Sequence, residues 1–303
     1  MTTSRRGVVL VAVLALIWGS NFLWIKVALD GLSPVQLTLA RMAAGALVLA
    51  VIVRARAESA PTDRRFIGHI TVAALVGNVV PYLLFAIGEQ TVDSALAGVL
   101  NATTPLWTVL VAVLAGQERN LTSTRVVGLA VGFVGALVIF QPWTLDGGDN
   151  LGGQLACLAA AASYGVSYVY IARFLTPRRL SPFVLAYGQM IAATVLLVPA
   201  ALVAGRQSIE VDASVLAALA MLGFVGTGLA YVINYIIIAR DGATVASTVT
   251  YLLPVVAVVL GAVVLDEAIT VAMLVGTTIV LVGVALARRT SPARTQPEKA
   301  SRR

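Results

Sequence analysis

Long apolar stretches separated by short polar loops follow one another along nearly the whole chain. About 20 consecutive apolar residues in a helix cross the hydrocarbon core of a bilayer. A backbone segment in lipid must satisfy its own hydrogen bonds, so each stretch is predicted to be helical. The pattern predicts ten spans, at about residues 7–27, 34–53, 66–88, 94–115, 125–141, 151–173, 182–204, 213–238, 243–265 and 270–288.

One pattern of residues occurs twice, half a chain apart. Pro105 precedes Glu118 by the same number of residues as Pro254 precedes Glu267. Five spans in each half is an odd number, so the second half must cross the membrane in the opposite sense, as in many secondary transporters. We therefore predict an all-α integral membrane protein with ten transmembrane helices in two inverted five-helix repeats. The predicted domains are a first repeat, residues 1–147, an inverted second repeat, 148–288, and a disordered basic cytoplasmic tail, 289–303.

Composition agrees with a bilayer environment. Hydrophobic residues make up 59% of the 303 residues and charged residues only 12%, whereas soluble domains carry about 25% charged residues. The net charge of +7 does not indicate a nucleic-acid partner, because the basic residues lie scattered in the short loops. The single Cys157 excludes a disulfide framework and a cysteine metal cluster.

The loop charges predict the orientation of the chain. Arginines concentrate near the termini and in the loops after the second, fourth, sixth and eighth spans. The remaining loops are acidic, and their only basic residues are Lys26 and Arg206. Because cytoplasmic loops carry the excess of Lys and Arg, we expect a multi-pass protein of the cytoplasmic (inner) membrane with both termini in the cytoplasm.

The two repeated prolines are candidates for positions beside a solute cavity. Each is predicted near mid-membrane, where proline frees the carbonyl four residues earlier, at Asn101 and at Thr250. Freed carbonyls at that depth need protein or water around them. Pro105 and Pro254 are thus read either as kinks in two cavity-lining helices or as kinks that neighbouring helices satisfy by packing.

Arg41 is the most conspicuous single residue, because it lies well inside the second apolar stretch. A cation at that depth costs at least about 2.5 kcal/mol on insertion scales, so it should face a cavity or a partner. It could bind a substrate carboxylate, take part in gating, reach an interface, or bond to carbonyls at a helix end. The corresponding residue of the second half is Gln189, which is polar but uncharged.

Polar and aromatic residues recur at corresponding places in the two halves, and such residues suit a pocket with apolar walls and a few placed polar groups. Some, such as Trp24 and Tyr170, could instead belong to the aromatic belts at the membrane surfaces. The remaining cavity candidates are Trp18, Asn21, Asn78, Tyr82, Tyr164, Tyr168, Tyr231 and Asn234.

Glycines at matching positions after the repeated acidic residues predict close helix packing rather than ligand contact. They are Gly128, Gly132, Gly135, Gly276 and Gly283.

Catalytic and metal-binding patterns are not found in the sequence. It contains no zinc-ligand spacing, P-loop or G-x-S-x-G motif, so we expect no enzyme activity, no metal and no cofactor. His69 is expected at the membrane interface rather than in a proton relay. Glu118 and Glu267 lie at predicted helix ends, where a capping or orienting role is expected, and we find no acidic residue clearly at mid-membrane.

The sequence resembles a known transporter family. The run Trp18-Gly-Ser-Asn-Phe22, Arg41, the segment from Tyr251 to Glu267 and its shorter counterpart from Pro105 to Glu118 are similar to EamA-type transporters of the drug/metabolite transporter superfamily. The resemblance covers nearly the whole chain. It departs where Gln117-Glu118 and Asp266-Glu267 stand in place of the family's usual Gly-Glu.

That resemblance implies a ten-helix inverted-repeat carrier, commonly an exporter of amino acids, other small metabolites or toxic compounds. We expect alternating access, with a small-molecule solute and the lipid bilayer as partners, no nucleic acid, and a possible homodimer. The alternative is a membrane protein that does not transport, such as a lipid-handling or sensory interaction module.

Overall fold

The computed structural model describes residues 5–117, 122–141, 150–204, 207–241 and 249–287. Within these ranges the regular structure is entirely helical. The α-helices are α1 (Arg5–Gly19), α2 (Asn21–Ala28), α3 (Pro34–Ala55), α4 (Arg64–Ala74), α5 (Val80–Gly88), α6 (Ser94–Asn101), α7 (Thr104–Leu114), α8 (Ser123–Phe140), α9 (Asn150–Phe174), α10 (Pro182–Ala204), α11 (Ala213–Ala220), α12 (Ala230–Asp241), α13 (Val249–Val264) and α14 (Val271–Ala287).

Seven helical runs in the described ranges are long and apolar enough to cross a bilayer. Three shorter apolar helices accompany them, at Ser123–Ile139, Val249–Val264 and Val271–Ala287. The predicted all-α membrane class is therefore confirmed. The seven longer runs are Arg6–Ala28, Pro34–Ala55, Arg64–Gly88, Ser94–Leu114, Asn150–Arg178, Pro182–Ala204 and Ala213–Asn234.

The two repeated prolines differ in their effect on the backbone. Pro105 lies in the first turn of α7, directly after a turn at Ala102 and Thr103 that separates α7 from α6. Proline lacks an N–H group and is well tolerated in the first turn of a helix. Pro254, in contrast, lies inside α13, which continues through it. The first proline thus accompanies a broken helix and the second does not.

Two π-helical segments interrupt corresponding spans of the two halves. Leu75–Val79 joins α4 to α5, and Met221–Leu229 joins α11 to α12. Tyr82 follows the first segment by three residues and Tyr231 follows the second by two. π-Helical turns are rare and occur frequently at functional sites. Neither segment is predicted by the apolar pattern.

The glycines of α8 and α14 bring two backbones into contact, as predicted. A Cβ atom added at Gly135 would lie 2.9 Å from the carbonyl oxygen of Gly276. One added at Gly128 would lie 2.8 Å from the carbonyl oxygen of Gly283. These helices pack against each other at the edge of the bundle, away from the polar residues described next.

Candidate functional site

Arg41 lies at the centre of a polar and aromatic cluster between the two halves of the chain. Its side chain projects from α3, and the residue is only 4% exposed. Its Nε–H donates to the hydroxyl of Thr227, in the second π-helical segment, at 3.2 Å. Its guanidinium carbon lies 4.3 Å from the centre of the Tyr82 ring. The cation therefore contacts both halves.

The charge of Arg41 is not matched by a close acidic group. Among the residues that the structure describes, no carboxylate oxygen lies within 4.0 Å of its guanidinium nitrogens. A buried cation is costly unless it is paired and hydrogen-bonded. A hydroxyl and an aromatic ring offset that cost only in part, so the site favours an anionic ligand.

Tyrosine rings form one wall of the cluster. The rings of Tyr82 and Tyr164 meet edge to face with centroids 6.2 Å apart, and Tyr164 also lies 6.2 Å from the ring of Phe85. Tyr82 and Tyr231 pack against the same buried cluster of apolar residues. Asn78 is only 1% exposed, and its Oδ1 has no hydrogen-bond partner among the described residues.

A cleft leads away from this cluster between α10 and α12. It contains about 480 Å³ of empty space, counting the part that opens to solvent. Gln189, the counterpart of Arg41, and Tyr231 lie along the cleft, as does the helix start at Pro182. The full lining is Pro182, Phe183, Leu185, Ala186, Gln189, Tyr231 and Asn234.

Trp18 and Asn21 lie at the break between α1 and α2, beside the second π-helical segment. The indole N–H of Trp18 donates to the carbonyl of Gly226 at 3.2 Å. Gly226 also faces Asn21 so closely that any larger side chain would collide with the Asn21 amide. The Oδ1 atom of Asn21 is buried without a partner among the described residues.

The other predicted site residues take more varied positions. Asn101 ends α6, and its Oδ1 accepts a hydrogen bond from the hydroxyl of Thr104 at 3.3 Å. Thr250 is half-buried, while Tyr168 is 57% exposed on α9. Glu118 lies outside the described residues.

Glu267 closes one end of the bundle by capping a helix of the opposite half. Its Oε1 accepts from the backbone N–H of Ser94 at 2.8 Å, and its Oε2 accepts from the Ser94 hydroxyl at 3.0 Å and from the N–H of Ala95 at 2.9 Å. Asp93 occupies the N-cap position itself but makes no side-chain cap bond. The carboxylate from the second half thus satisfies the N-terminus of α6.

Backbone groups close the same end on the α2 side. The N–H of Glu210 donates to the carbonyl of Gly31 at 3.0 Å. The side-chain amide of Gln36 donates to the carbonyl of Gln207 at 3.0 Å. Each bond joins the first half to the second.

The opposite end is held by an exposed ion pair and an aromatic group. Arg178 donates to both carboxylate oxygens of Asp63, at 3.0 and 3.3 Å, and this contact lowers the pKa of Asp63. His69 stacks on Phe174 with centroids 4.8 Å apart, and its Nδ1 lies 2.8 Å from the hydroxyl of Tyr170. The side chain of His69 on α4 therefore packs against α9.

Glu89 lies in one of the acidic loops between the predicted spans, but its burial was not predicted from the sequence. It follows α5 and is 0% exposed. Lys26, one of the two basic exceptions to the loop pattern, donates from its Nζ to the carbonyl oxygens of Glu89 and Val92 at 2.7 and 2.9 Å. The presence of Lys26 among these acidic loops is thus explained by its hydrogen bonds to carbonyl groups at and after the end of α5.

Comparison with known proteins identifies the family from both halves of the chain. Residues 5–141 and 151–289 each match the EamA-like transporter family. The chain belongs to the EamA-like transporter family. The predicted resemblance is therefore confirmed.

Relatives of this EamA-like chain carry transporter names. It is 28% identical to a protein of Escherichia coli K12 named "Uncharacterized inner membrane transporter YedA", over 82% of this chain and 79% of the relative. It is 31% identical to a protein of Streptantibioticus cattleyicolor named "Probable terminal-alkyne amino-acid exporter", over 90% of each chain. A solved crystal structure matches with a TM-score of 0.65 at 21% identity, covering 93% of this chain and 96% of that one, which supports the fold.

Proposed function

We propose that this EamA-like protein is a carrier of the inner membrane that exports small organic solutes bearing a carboxylate, with amino acids as the leading class. The observation that carries the proposal is the buried guanidinium of Arg41, which lacks a close acidic partner among the described residues. Guanidinium groups bind carboxylates with two parallel hydrogen bonds. A solute carboxylate would supply the missing charge.

An amino acid would also satisfy a second unpaired group of the cluster. Asn78 Oδ1 is a buried acceptor without a described partner, and an ammonium group is a donor that needs one. The rings of Tyr82 and Tyr164 provide an apolar wall for a side chain. The name of the Streptantibioticus cattleyicolor relative agrees with this class.

Alternating access is supported by the difference between the two ends of the bundle. Bonds between the halves lie at both ends, at Glu267 and Gly31 on one side and at the exposed Asp63–Arg178 pair on the other. The cleft from Gln189 to Pro182 leads toward the Asp63–Arg178 end. The excess of arginines in the loops on the cleft side supports an orientation with the cleft toward the cytoplasm and the Glu267 end toward the outside. A solute would enter from the cytoplasm, reach Arg41 and leave when the outer contacts separate.

The inverted-repeat arrangement, with five spans in residues 1–147 and five in 148–288, accounts for the paired features of the halves. Five spans in one half place its second copy upside down. The two π-helical segments and the pairs Tyr82 and Tyr231, and Arg41 and Gln189, occur at corresponding positions. This arrangement would let the halves exchange roles as one end opens and the other closes.

Counterflow into proteoliposomes tests the proposal. A panel of labelled amino acids and carboxylate-free analogues such as amino alcohols is offered to vesicles with and without the protein. We expect saturable accumulation of at least one amino acid and none of its amino alcohol. Flat traces across the panel, from protein shown to be folded, would contradict the proposed substrate class.

Substitution of Arg41 then links transport to the site. Arg41→Gln should reduce the counterflow rate at least about ten-fold, since a charge-assisted hydrogen bond contributes about 1.5–3 kcal/mol. Arg41→Lys keeps the charge but not the planar fork, and should recover only part of the rate. Arg65→Gln, which removes an exposed arginine on α4, is the matched control. Equal rates in all three variants would exclude Arg41 from binding.

A further inference from the structure

Glu89 presents a buried carboxyl group that the proposed solute site does not use. It follows the span Arg64–Gly88 and has no exposed surface. Neither of its two carboxyl oxygens has a hydrogen-bond partner among the described residues. An ionised carboxylate in such a place would lose its hydration without replacement, which is very costly.

The nearest cation does not neutralise this carboxyl by direct contact. Lys26 reaches the backbone carbonyl of Glu89 and that of Val92 instead, at 2.7 and 2.9 Å. Two of the ammonium protons are therefore committed to the end of α5. No ion pair between Lys26 and the Glu89 carboxyl is present in the described structure.

The neighbouring helix α9 offers an acceptor rather than a donor. Gly88 packs against α9 so closely that an added Cβ would lie 2.8 Å from the carbonyl oxygen of Gly153 and 2.6 Å from the sulfur of Cys157. Gln154, between these two residues, has a buried Oε1 that is also without a described partner. A protonated Glu89 is a donor, and these surroundings suit a donor better than an anion.

Ionisable groups from four elements act on Glu89. Burial raises its pKa well above the ordinary value and outweighs the opposing effect of Lys26 on α2 and of Arg41 on α3. Glu267, from the loop between α13 and α14, raises it further, and Cys157 on α9 interacts with it. Asp93 on the same loop is exposed, and partial desolvation together with Glu267 raises its pKa.

The loop that carries Glu89 leads directly into the contact that closes the outer end. It continues through Val92 to Ser94, which Glu267 holds with two hydrogen bonds. Separation of the halves at this contact would admit water to the loop. Exposure of Glu89 is therefore linked to opening of this end.

We propose that Glu89 is a proton-binding site of the carrier, occupied by one proton when the outer end is closed and emptied when that end opens. The proton is a second ligand, distinct from the organic solute bound at Arg41. The closed form binds this proton more tightly than the open form does. Linkage then requires that external acid favours the closed form and external alkali the open form.

This inference rests on the alternating access and orientation proposed above, and it is tested without any solute. In a Cys157→Ala background, Val92→Cys reports opening of the outer end through its reaction with an impermeant thiol reagent added to intact cells. Asp30→Cys, an exposed loop position, is labelled in parallel. Dividing the Val92→Cys rate by the Asp30→Cys rate at each pH removes the effect of pH on the reagent.

We expect the normalised rate to rise about five-fold or more between about pH 5.5 and 7.5, since one-proton linkage allows at most about ten-fold per pH unit. Glu89→Gln should remove this rise and hold the rate at the low value found in acid. The matched control from the same loop, Asp93→Asn, should still show the rise of the labelling rate with pH. The proposal would be overturned if the rise persisted in Glu89→Gln, or if no rise were seen when Glu89 is present. Failure of the reagent to label Asp30→Cys in intact cells would contradict the proposed orientation instead.

Thermal unfolding of the purified protein in detergent gives an independent check. The raised pKa of Glu89 means that the folded state holds a proton which the unfolded state gives up above about pH 4.3, so the wild type loses stability as pH rises from there to the folded pKa. The Glu89→Gln variant has no carboxyl group that titrates at this position. Its Tm should exceed that of the wild type by a margin that grows from pH 5 to pH 8, and a constant or inverted difference would show that Glu89 is not held neutral.

Discussion

At the scale of single residues, the contact of Arg41 with Tyr82 does more than stabilise a buried charge. A guanidinium that rests on a ring at 4.3 Å has its plane fixed before any solute arrives. Its Nε–H is already committed to Thr227, so the terminal nitrogens of the fork are left to meet a ligand. A preorganised guanidinium loses less side-chain entropy when a ligand binds, and this raises the affinity.

Replacement of the Tyr82 ring tests that role. A desolvated cation–π contact contributes about 2 kcal/mol. Tyr82→Leu should therefore raise the half-saturating concentration of the transported amino acid in counterflow at least about ten-fold. Tyr82→Phe keeps the ring and should stay close to the wild type, and equal losses in both variants would assign the effect to the hydroxyl.

The sequence indicated some of these residues and not others, for physical reasons. Arg41 could be found because a cation within an apolar run is conspicuous on its own. Glu89 could not, because an acid between two apolar runs looks like a solvated loop residue. Only the packing of α9 and the reach of Lys26 over the end of α5 bury it. Such burial depends on residues far away in the chain.

At the scale of helices, α6 depends for its first turn on a carboxylate from the other half. The first N–H groups of a helix have no partner within it. Glu267 provides acceptors for two of them, and Asp93, in the ordinary capping position, does not. A turn at Ala102 and Thr103 separates α6 from α7.

Removal of the Glu267 charge should loosen this helix. Glu267→Gln should lower the free energy of unfolding by about 1–2 kcal/mol, as the loss of a cap does. It should also raise the reaction rate of Val92→Cys from outside. Asp266→Asn is the control, because Asp266 is exposed with φ of 54°, a left-handed conformation that asparagine accepts. A similar change in both variants would argue against the cap.

The π-helical segments show where a sequence pattern is uninformative at this scale. Hydropathy predicted that residues 66–88 and 213–238 are spans, and helices lie in both. The change from one hydrogen-bond register to another within them leaves the apolar content unaltered. Pro81 lies two residues after the first segment, and Gly226 and Gly228 lie within the second. The breaks near Ser20 and Thr103 were likewise not predicted as such.

At the scale of the whole molecule, the proposed alternating access requires the contacts between the halves at the Glu267 end to separate in every cycle. A covalent bond between the two halves at this end should therefore stop transport. In a Cys157→Ala background, Gln36→Cys with Gln207→Cys places two thiols where the amide of Gln36 now meets the backbone at 207. Oxidation should abolish counterflow, and reduction should restore it.

The single variants Gln36→Cys and Gln207→Cys are the controls for this experiment, and each should transport normally under the same oxidant. Formation of the disulfide is detected on a gel. After proteolytic cleavage in the loops between the halves, the cross-linked protein migrates differently from the protein without the bond. Full transport by the cross-linked protein would mean that this end does not open during the cycle.

The difference between the two prolines has a consequence for kinetics. One half bends at a turn before Pro105, whereas α13 continues through Pro254. Were the halves identical, a carrier built from them would rest equally often facing either side. Unequal hinges give the two resting forms different free energies, so the carrier should show different half-saturation for one solute at its two faces. The ratio of maximal rates in the two directions must then equal the ratio of the two half-saturating concentrations, because a passive cycle cannot accumulate a solute against its gradient.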